Sequence, residues 1–335
     1  MTAVMLLKGV RVESSARLHL GFYNFVSDDI LYGGFGVAIS EPRVVVDVYP
    51  SETLVVKASG DDRVVVEEVA RKLGVTTGYI EVRESIPRHV GLGSTTQLML
   101  STGVALSRIH GLSYTVRELA VKLGRGFVSG IGIACFEKGG FVVDSGRRSS
   151  TGRLYKPRTV DDLPKPVIQV SVPEEWYFII VLPVGRRGLE DNREEQLLDK
   201  PEKPPVEIQL EIYRSFLLGI LPGILNNDPV LFGKALSRIQ ELVGKYFSKH
   251  QGGVFCCRET EEAINILRKH GVLGYGQSSW GPVAYGLVYG RENASRIRDL
   301  VVKEIEETGI EARVLVARPR NTGARVRFIT GRNAS

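Results

Sequence analysis

Ile86-Pro87-Arg88-His89-Val90-Gly91-Leu92-Gly93-Ser94-Thr95-Thr96-Gln97 is the stretch on which the fold turns. Upstream, Tyr79 to Arg83 reads as a strand; downstream, Leu98, Thr102, Ala105 and Ile109 return at helical period and Gly111 ends the run. A strand therefore passes through a two-glycine loop into a helix. Glycines let the backbone approach a ligand closely, and the free amides of a helix N-terminus present partial positive charge. The pattern fits a phosphate cradle; the alternative is a tight turn with Ser94 or Thr95 as an ordinary cap. It matches neither the Gly-Lys-Ser/Thr of P-loops nor the Gly-x-Gly-x-x-Gly of dinucleotide-binding folds.

Before this loop, Val10 to Val12 and Arg17 to Leu20 read as short strands, Tyr32 to Gly36 as a Gly-rich turn, and Val44 to Val48 and Thr53 to Lys57 as further strands. Asp61 and Asp62 open a helix with Val65, Val66, Val69, Ala70 and Leu73 on one face, and Gly74 stops it. After it, Thr115 and Glu118 form a capping box. The polar segment Ser145 to Pro166, with three prolines, marks a boundary between domains 1–165 and 166–335. Beyond it come strands at 167–172 and 176–182, helices at 206–218, 230–246, 260–270 and 292–307, and strands at 312–317 and 325–328. Strands with helices packed to one side make the second half α+β.

The 335 residues are 43% hydrophobic and 24% charged, which excludes a disordered chain or a fibre and leaves room for two cores. Lys and Arg number 44 against 38 Asp and Glu, a net charge of +6 without any dense basic block, so small anionic ligands are expected rather than nucleic acid. Three cysteines, Cys135 and the adjacent Cys256 and Cys257, argue against a disulfide framework or a zinc site. The longest apolar run, Trp176 to Val184, is too short to span a membrane, and no signal-peptide layout is seen. A cytoplasmic protein is expected.

Pro87-x-x-x-Gly91-Leu92-Gly93-Ser94-Thr95 resembles the second motif of the GHMP kinase superfamily. Ala16-Arg17-Leu18-His19-Leu20-Gly21 resembles the first motif, and Gly274-Tyr275-Gly276-Gln277-Ser278-Ser279-Trp280-Gly281-Pro282 stands in the place of the third. Many of these kinases carry an Asp near the hydroxyl to be phosphorylated, in a Ser-Gly-x-Asp segment; here that segment is Ser129-Gly130-Ile131-Gly132, without the carboxylate. Together with Gly124-Arg125-Gly126 and Gly139-Gly140-Phe141-Val142-Val143-Asp144, the set resembles the β-ribofuranosylaminobenzene 5'-phosphate synthase family of archaeal methanopterin biosynthesis. Asn24 departs from that family's pattern, where Asp is expected.

The resemblance implies a two-domain α+β GHMP kinase-like fold, with a ribosomal S5 domain 2-like N-terminal domain and a ferredoxin-like C-terminal domain. It implies a decarboxylating phosphoribosyl transfer: phosphoribosyl pyrophosphate and 4-aminobenzoate or 4-hydroxybenzoate give an aryl C-riboside 5'-phosphate, carbon dioxide and pyrophosphate. Mg²⁺ would accompany phosphoribosyl pyrophosphate, no organic cofactor is needed, no nucleic acid or membrane is a partner, and a homodimer is a family-level expectation. The rival readings are an ATP-dependent small-molecule kinase and a non-catalytic sugar-phosphate or nucleotide sensor.

On this reading Gly91, Leu92, Gly93, Ser94, Thr95, Thr96 and Gln97, with Ser129 and Gly130, bind substrate. Arg17, Arg88 and Arg125 are clamps for phosphate or carboxylate, or else solvated surface residues. His89 would favour pyrophosphate departure or simply shape its loop, and His19 would face a pocket or complete a core hydrogen bond. With Arg17 and Arg125 they make the candidate catalytic set. Gln277, Ser278, Ser279 and Trp280 are placed at the acceptor, Trp280 stacking on its ring or packing between domains. Asp144 is a Mg²⁺ ligand or a turn residue.

Overall fold

The computed structural model describes residues 7–188, 191–199 and 201–331. Two long strands open it, β1 (Leu7–Ser27) and β2 (Ile30–Tyr49), followed by β3 (Leu54–Lys57), α1 (Gly60–Leu73), β4 (Gly78–Glu84), α2 (Ser94–His110), α3 (Val116–Lys122), α4 (Ile131–Lys138), β5 (Phe141–Asp144), β6 (Arg147–Arg148) and β7 (Pro166–Val170). Next come β8 (Trp176–Pro183), α5 (Asp191–Leu198), α6 (Val206–Ser215), α7 (Leu221–Leu225), α8 (Pro229–Gln251), α9 (Arg258–Lys269), β9 (Gly274–Gln277), β10 (Ala284–Tyr289), α10 (Arg291–Glu307), β11 (Ala312–Ala317) and β12 (Arg325–Gly331). A π-helical turn at Phe216–Ile220 joins α6 to α7.

The first sheet runs β12-β1-β2-β4-β3, with β5 and β6 also pairing β2 and β7 pairing β5. α2 lies against it, burying Leu98, Met99, Ala105 and Leu106 in the main core. The second sheet runs β11-β8-β10-β9, all antiparallel. Counted along the chain this is the 4-1-3-2 order of a ferredoxin-like β-α-β-β-α-β unit, as expected. One face meets α9 and α10 through Ile179, Val181, Ile264 and Ile297; the other meets α8 and the main core through Phe178, Ile180, Phe232 and Leu236. Coverage of both faces explains why Trp176–Pro183 reads as one apolar run instead of an alternation.

Two expectations are corrected. Strands 10–12 and 17–20 are parts of one strand, bent by register shifts near Arg17, Gly21 and Asn24, and Tyr32 to Gly36 lies inside β2 instead of turning. The glycines there answer crowding: a Cβ on Gly36 would sit 2.5 Å from the Leu18 carbonyl oxygen, and one on Gly33 would strike the Tyr23 ring. The domain boundary moves too. β7 belongs to the first sheet, and the chain returns to that sheet at its end, where β12 pairs β1. The ferredoxin-like unit is thus inserted between β7 and β12, a long-range pairing that no local pattern announces.

Candidate active site

Arg17 and His19 project from β1 beside one of its irregularities, the Gly-rich loop joins β4 to α2, and the third motif follows β9. These segments meet at the carbonyl oxygen of Gly91, which accepts hydrogen bonds from Ser278 Oγ at 2.7 Å and Arg17 Nη1 at 2.5 Å. The His19 amide in turn donates to Ser278 Oγ at 3.0 Å, and the Arg17 amide to the Leu92 carbonyl at 3.2 Å. Gly91 has φ +90°, and a Cβ there would lie 2.0 Å from the Ser278 carbonyl oxygen, so close approach as well as backbone conformation demands glycine. Gly93, at φ 80°, caps α2, whose first turn carries Ser94, Thr95 and Thr96; Ser94 and Thr95 are buried yet border the polar chamber with Thr96.

A cleft opens above this junction, in adjoining chambers. The polar chamber is lined by Arg17, His89, Gly91, Gly93, Ser94, Thr95, Thr96, Arg125, Ser279 and Trp280. Arg125 donates to Thr96 Oγ1 at 3.1 Å, which ties the Gly124–Gly126 loop to the first turn of α2. Arg88 lies at the outer mouth with Lys72, Lys156 and Arg187, where basic side chains outnumber Asp61, Glu68 and Glu195. An anion is the fitting occupant: helix-start amides, hydroxyls and guanidinium groups all donate here.

The second chamber is lined by Arg17, His19, Phe22, Thr96, residues 124–129, Gly132, Ile133, Glu195 and Ser279. The third is apolar on one side, with Phe22, Val243, Phe247, Phe255 and Trp280, and carries the amides of Gln251 and Gln277. His19 lines both and is buried; desolvation, helped by the Arg17 charge, lowers its imidazole to about 3. The ring is neutral at ordinary pH, offering one donor and one acceptor rather than a positive charge. His19 is buried and faces the cleft.

Several residues assigned to substrate serve as fasteners instead. Leu92 is buried in the main core. Gln97 turns inward and donates to the Gly132 carbonyl at 2.9 Å, and Ser278 is fully buried in the junction already described. Gly130 gives its amide to Asp144 at 2.7 Å, and a Cβ on it would sit 2.7 Å from the Pro164 carbonyl oxygen. Ser129 lines the cleft, yet its hydroxyl is committed to Asp144 at 3.0 Å. Gln277 holds the Cys256 amide with Oε1 at 2.6 Å and reaches the Ser279 carbonyl with Nε2 at 2.9 Å. Trp280 packs edge-on against Phe247 at 4.6 Å and also lines the cleft.

Asp144 is corrected outright as a metal ligand. Its Oδ1 accepts from the amides of Gly34 and Gly146, both at 3.0 Å, and its Oδ2 from Ser129 and Gly130. Four donors occupy a completely buried carboxylate that faces none of the three chambers. Burial pushes the acid up while those donors act in the opposite sense. Among the described residues no group of three or more His, Cys, Asp or Glu side chains is placed to hold a metal.

Sequence reasoning missed two residues. Glu195, on α5, supplies the single carboxylate of the second chamber among the described residues, 3.4 Å from Lys156 Nζ. Arg147 is fully buried and donates to the carbonyls of Gly126, Asp162 and Tyr155, bracing the loop that carries Arg125. A lone arginine in a polar segment gives no hint of that work. Where many kinases have their Asp, Gly132 lines the cleft, its would-be Cβ 3.3 Å from Thr96 Cγ2.

The family of GHMP kinases N terminal domains matches residues 55–140, and that of GHMP kinases C terminal domains residues 220–305. The chain is 33% identical to the beta-ribofuranosylphenol 5'-phosphate synthase of Archaeoglobus fulgidus, over 95% of this chain and 99% of that protein. To the protein of the same name from Methanothermobacter thermautotrophicus it is 32% identical, over 93% of this chain and 97% of the other. A solved structure of homoserine kinase from Cytophaga hutchinsonii shares the fold at a TM-score of 0.67 and 18% identity, over 95% of this chain and 97% of that one.

Proposed function

This chain belongs to the beta-ribofuranosylphenol 5'-phosphate synthase family, and we propose that it joins phosphoribosyl pyrophosphate to a para-substituted benzoate with loss of carbon dioxide and pyrophosphate. The observation that carries the reading is near-full-length similarity to these synthases. The cleft supports it: a basic, hydroxyl-rich chamber opens beside an aromatic one, and Gly132 stands where a kinase would need its carboxylate. The relatives' name points to the phenol product, hence to 4-hydroxybenzoate as the first acceptor to try, with 4-aminobenzoate beside it.

The para oxygen or nitrogen pushes electron density to the ring carbon that bears the carboxylate. That carbon bonds to the anomeric carbon as the C–O bond to pyrophosphate breaks. The bond to the carboxylate then breaks, its electron pair restores aromaticity, and carbon dioxide leaves. The ring is its own electron sink, so the reaction asks the protein for position and charge stabilisation.

In this scheme Ser94, Thr95, Thr96 and the amides after Gly93 hold one phosphate end of the donor, with Arg17, Arg88 and Arg125 offsetting charge that grows as pyrophosphate departs. His89 borders the same chamber and assists that departure. Neutral His19, where the chambers meet, suits a sugar hydroxyl better than a phosphate. The ring lies against Phe22, Phe247 and Trp280, where Gln251 and Ser279 reach its polar groups. Mg²⁺ would come with the donor, since among the described residues no group of three or more His, Cys, Asp or Glu side chains is placed to hold it.

We place the reaction in the cytoplasm. The stretch Val206–Leu225 is long and apolar enough to cross a membrane; Ile212, Phe216, Ile220 and Ile224 pack into the fold on one side, while Leu210, Leu217, Leu218 and Leu225 are exposed on the other.

The test is incubation with phosphoribosyl pyrophosphate, Mg²⁺ and carboxyl-labelled 4-hydroxybenzoate or 4-aminobenzoate, and separately with ATP and small alcohols. Label released as carbon dioxide, with matching pyrophosphate, is expected. Alcohol-dependent ADP without carbon dioxide would replace this reading with a kinase.

A further inference from the structure

We propose that Cys256 and Cys257 are a thiol–disulfide exchange site, at which a small disulfide oxidises the pair to a vicinal disulfide that alters the acceptor chamber. Adjacent side chains of an extended chain point to opposite faces. Here the chain bends through residues 252–257, and the two Sγ atoms lie 3.4 Å apart on one side. Both also meet the Thr260 hydroxyl, at 3.3 and 3.2 Å, and that hydroxyl donates to the Pro282 carbonyl at 2.8 Å. The two sulfurs are already neighbours; closing a bond of about 2.05 Å makes an eight-membered ring whose Cα atoms, about 3.8 Å apart, lie closer than the usual disulfide range, so the backbone at 256–257 shifts as the bond forms.

The two thiols are not equivalent. Cys257 immediately precedes α9, a helix of 12 residues whose amides favour a thiolate, and the hydrogen bond from Cys256 holds its thiol below the ordinary range. Arg186, paired with Glu259 at 2.6 Å, adds positive charge on the same side. Both cysteines are partly accessible, whereas Cys135 is buried and its thiol is pushed up to about 12. Cys257 is therefore the attacking sulfur and Cys256 the resolving one.

The balance is complete. Cys257 thiolate attacks one sulfur of the small disulfide and expels a thiolate, which takes a proton from water. The Cys256 thiol gives its proton to solvent and attacks Cys257 Sγ, expelling the second thiol. Two protein S–H bonds become one S–S bond, and the oxidant is reduced to two thiols.

The coupling runs through the backbone. The Cys256 amide donates to Gln277 Oε1 at 2.6 Å, its sulfur lies 3.7 Å from the Gly281 carbonyl, and its neighbour Phe255 lines the aromatic chamber. Drawing Cys256 toward Cys257 displaces Phe255 and Gln277 together. This consequence for catalysis rests on the synthase reading; the thiol chemistry does not.

The test is intact-mass measurement of the whole protein, reduced and then equilibrated with oxidised glutathione. Wild type and Cys135→Ser should each lose the mass of two hydrogen atoms, and Cys257→Ser should not. Wild type that keeps its reduced mass, or stops at a glutathione adduct, overturns the proposal. In the oxidised protein the KM for the aryl acid should rise several-fold with that for phosphoribosyl pyrophosphate little changed, and Cys257→Ser should keep its activity under the same treatment. A closed pair with unaltered kinetics would overturn the link to the acceptor chamber, and does so whichever acid proves to be the acceptor.

Discussion

Asp144→Asn separates a structural carboxylate from a metal ligand. The side chain keeps its size, but an amide has one oxygen where the carboxylate has two. If its NH₂ group takes the place of Oδ1 it faces the amides of Gly34 and Gly146; in the place of Oδ2 it faces Gly130 and the Ser129 hydroxyl. The hydroxyl can turn to accept, whereas a glycine N–H cannot, so either orientation leaves at least one buried donor without an acceptor. An orphaned donor costs about 1–3 kcal/mol, and losing charge assistance on the other bonds adds to it; relief of the buried charge offsets part, leaving a net loss of about 2–4 kcal/mol. For a chain of this size that corresponds to a fall in Tm of roughly 3–6 °C. Scanning calorimetry reads this, and the Mg²⁺ dependence of activity is measured well below both midpoints. The expected result is a lowered Tm with the Mg²⁺ requirement of the wild type. An unchanged Tm with a strongly raised Mg²⁺ requirement would refute the structural role.

The same reasoning yields further outcomes. Gly91→Ala drives a Cβ into the Ser278 carbonyl and should part the second and third motifs, abolishing phosphoribosyl pyrophosphate binding in a folded protein; unaltered affinity by calorimetry would remove that contact from the site. Trp280→Ala forfeits the packing against Phe247, about 3 kcal/mol, and should raise the KM for the aryl acid more than that for phosphoribosyl pyrophosphate; an unaltered acceptor constant places the ring elsewhere. His19 has a folded value near 3 against 6.5 in the unfolded chain, so the unfolded state binds the extra proton. Its contribution is complete above pH 6.5 and is lost as pH falls toward 3, by roughly 1 kcal/mol per pH unit. Urea denaturation of His19→Gln across that window should show a shallower pH dependence, and a slope equal to wild type would contradict the buried neutral ring.

What the sequence disclosed and what it hid follow from the range of the interactions involved. Residues 312–317 are the strand expected, the Thr115–Glu118 capping box is present, and Gly74 and Gly111 end their helices, because caps and periodicity are settled within a turn or two. The Gly-rich loop was likewise visible as a strand-to-helix passage. The division of labour inside it was not. Asp144 meets Gly34 across 110 residues and His19 meets Ser278 across 259, so a motif read in isolation cannot tell a ligand donor from a fastener.

The chemistry suggests why both kinds occupy one motif. A phosphate cradle works when its amides stay aimed at the ligand without being re-ordered at each turnover, which requires the carbonyls between them to be held from behind. Gly91 meets that requirement: Arg17 and Ser278 secure its carbonyl, and each comes from a different motif. Arg17 also lines the polar chamber, so a single guanidinium fixes the loop and presents positive charge to the ligand. Replacing it by Lys would keep the charge and lose the planar fork that serves both purposes. Arg17→Lys should therefore weaken phosphoribosyl pyrophosphate binding at least tenfold by calorimetry, with far-UV circular dichroism unchanged. Binding equal to wild type would show that charge alone suffices and that Ser278 holds the loop unaided.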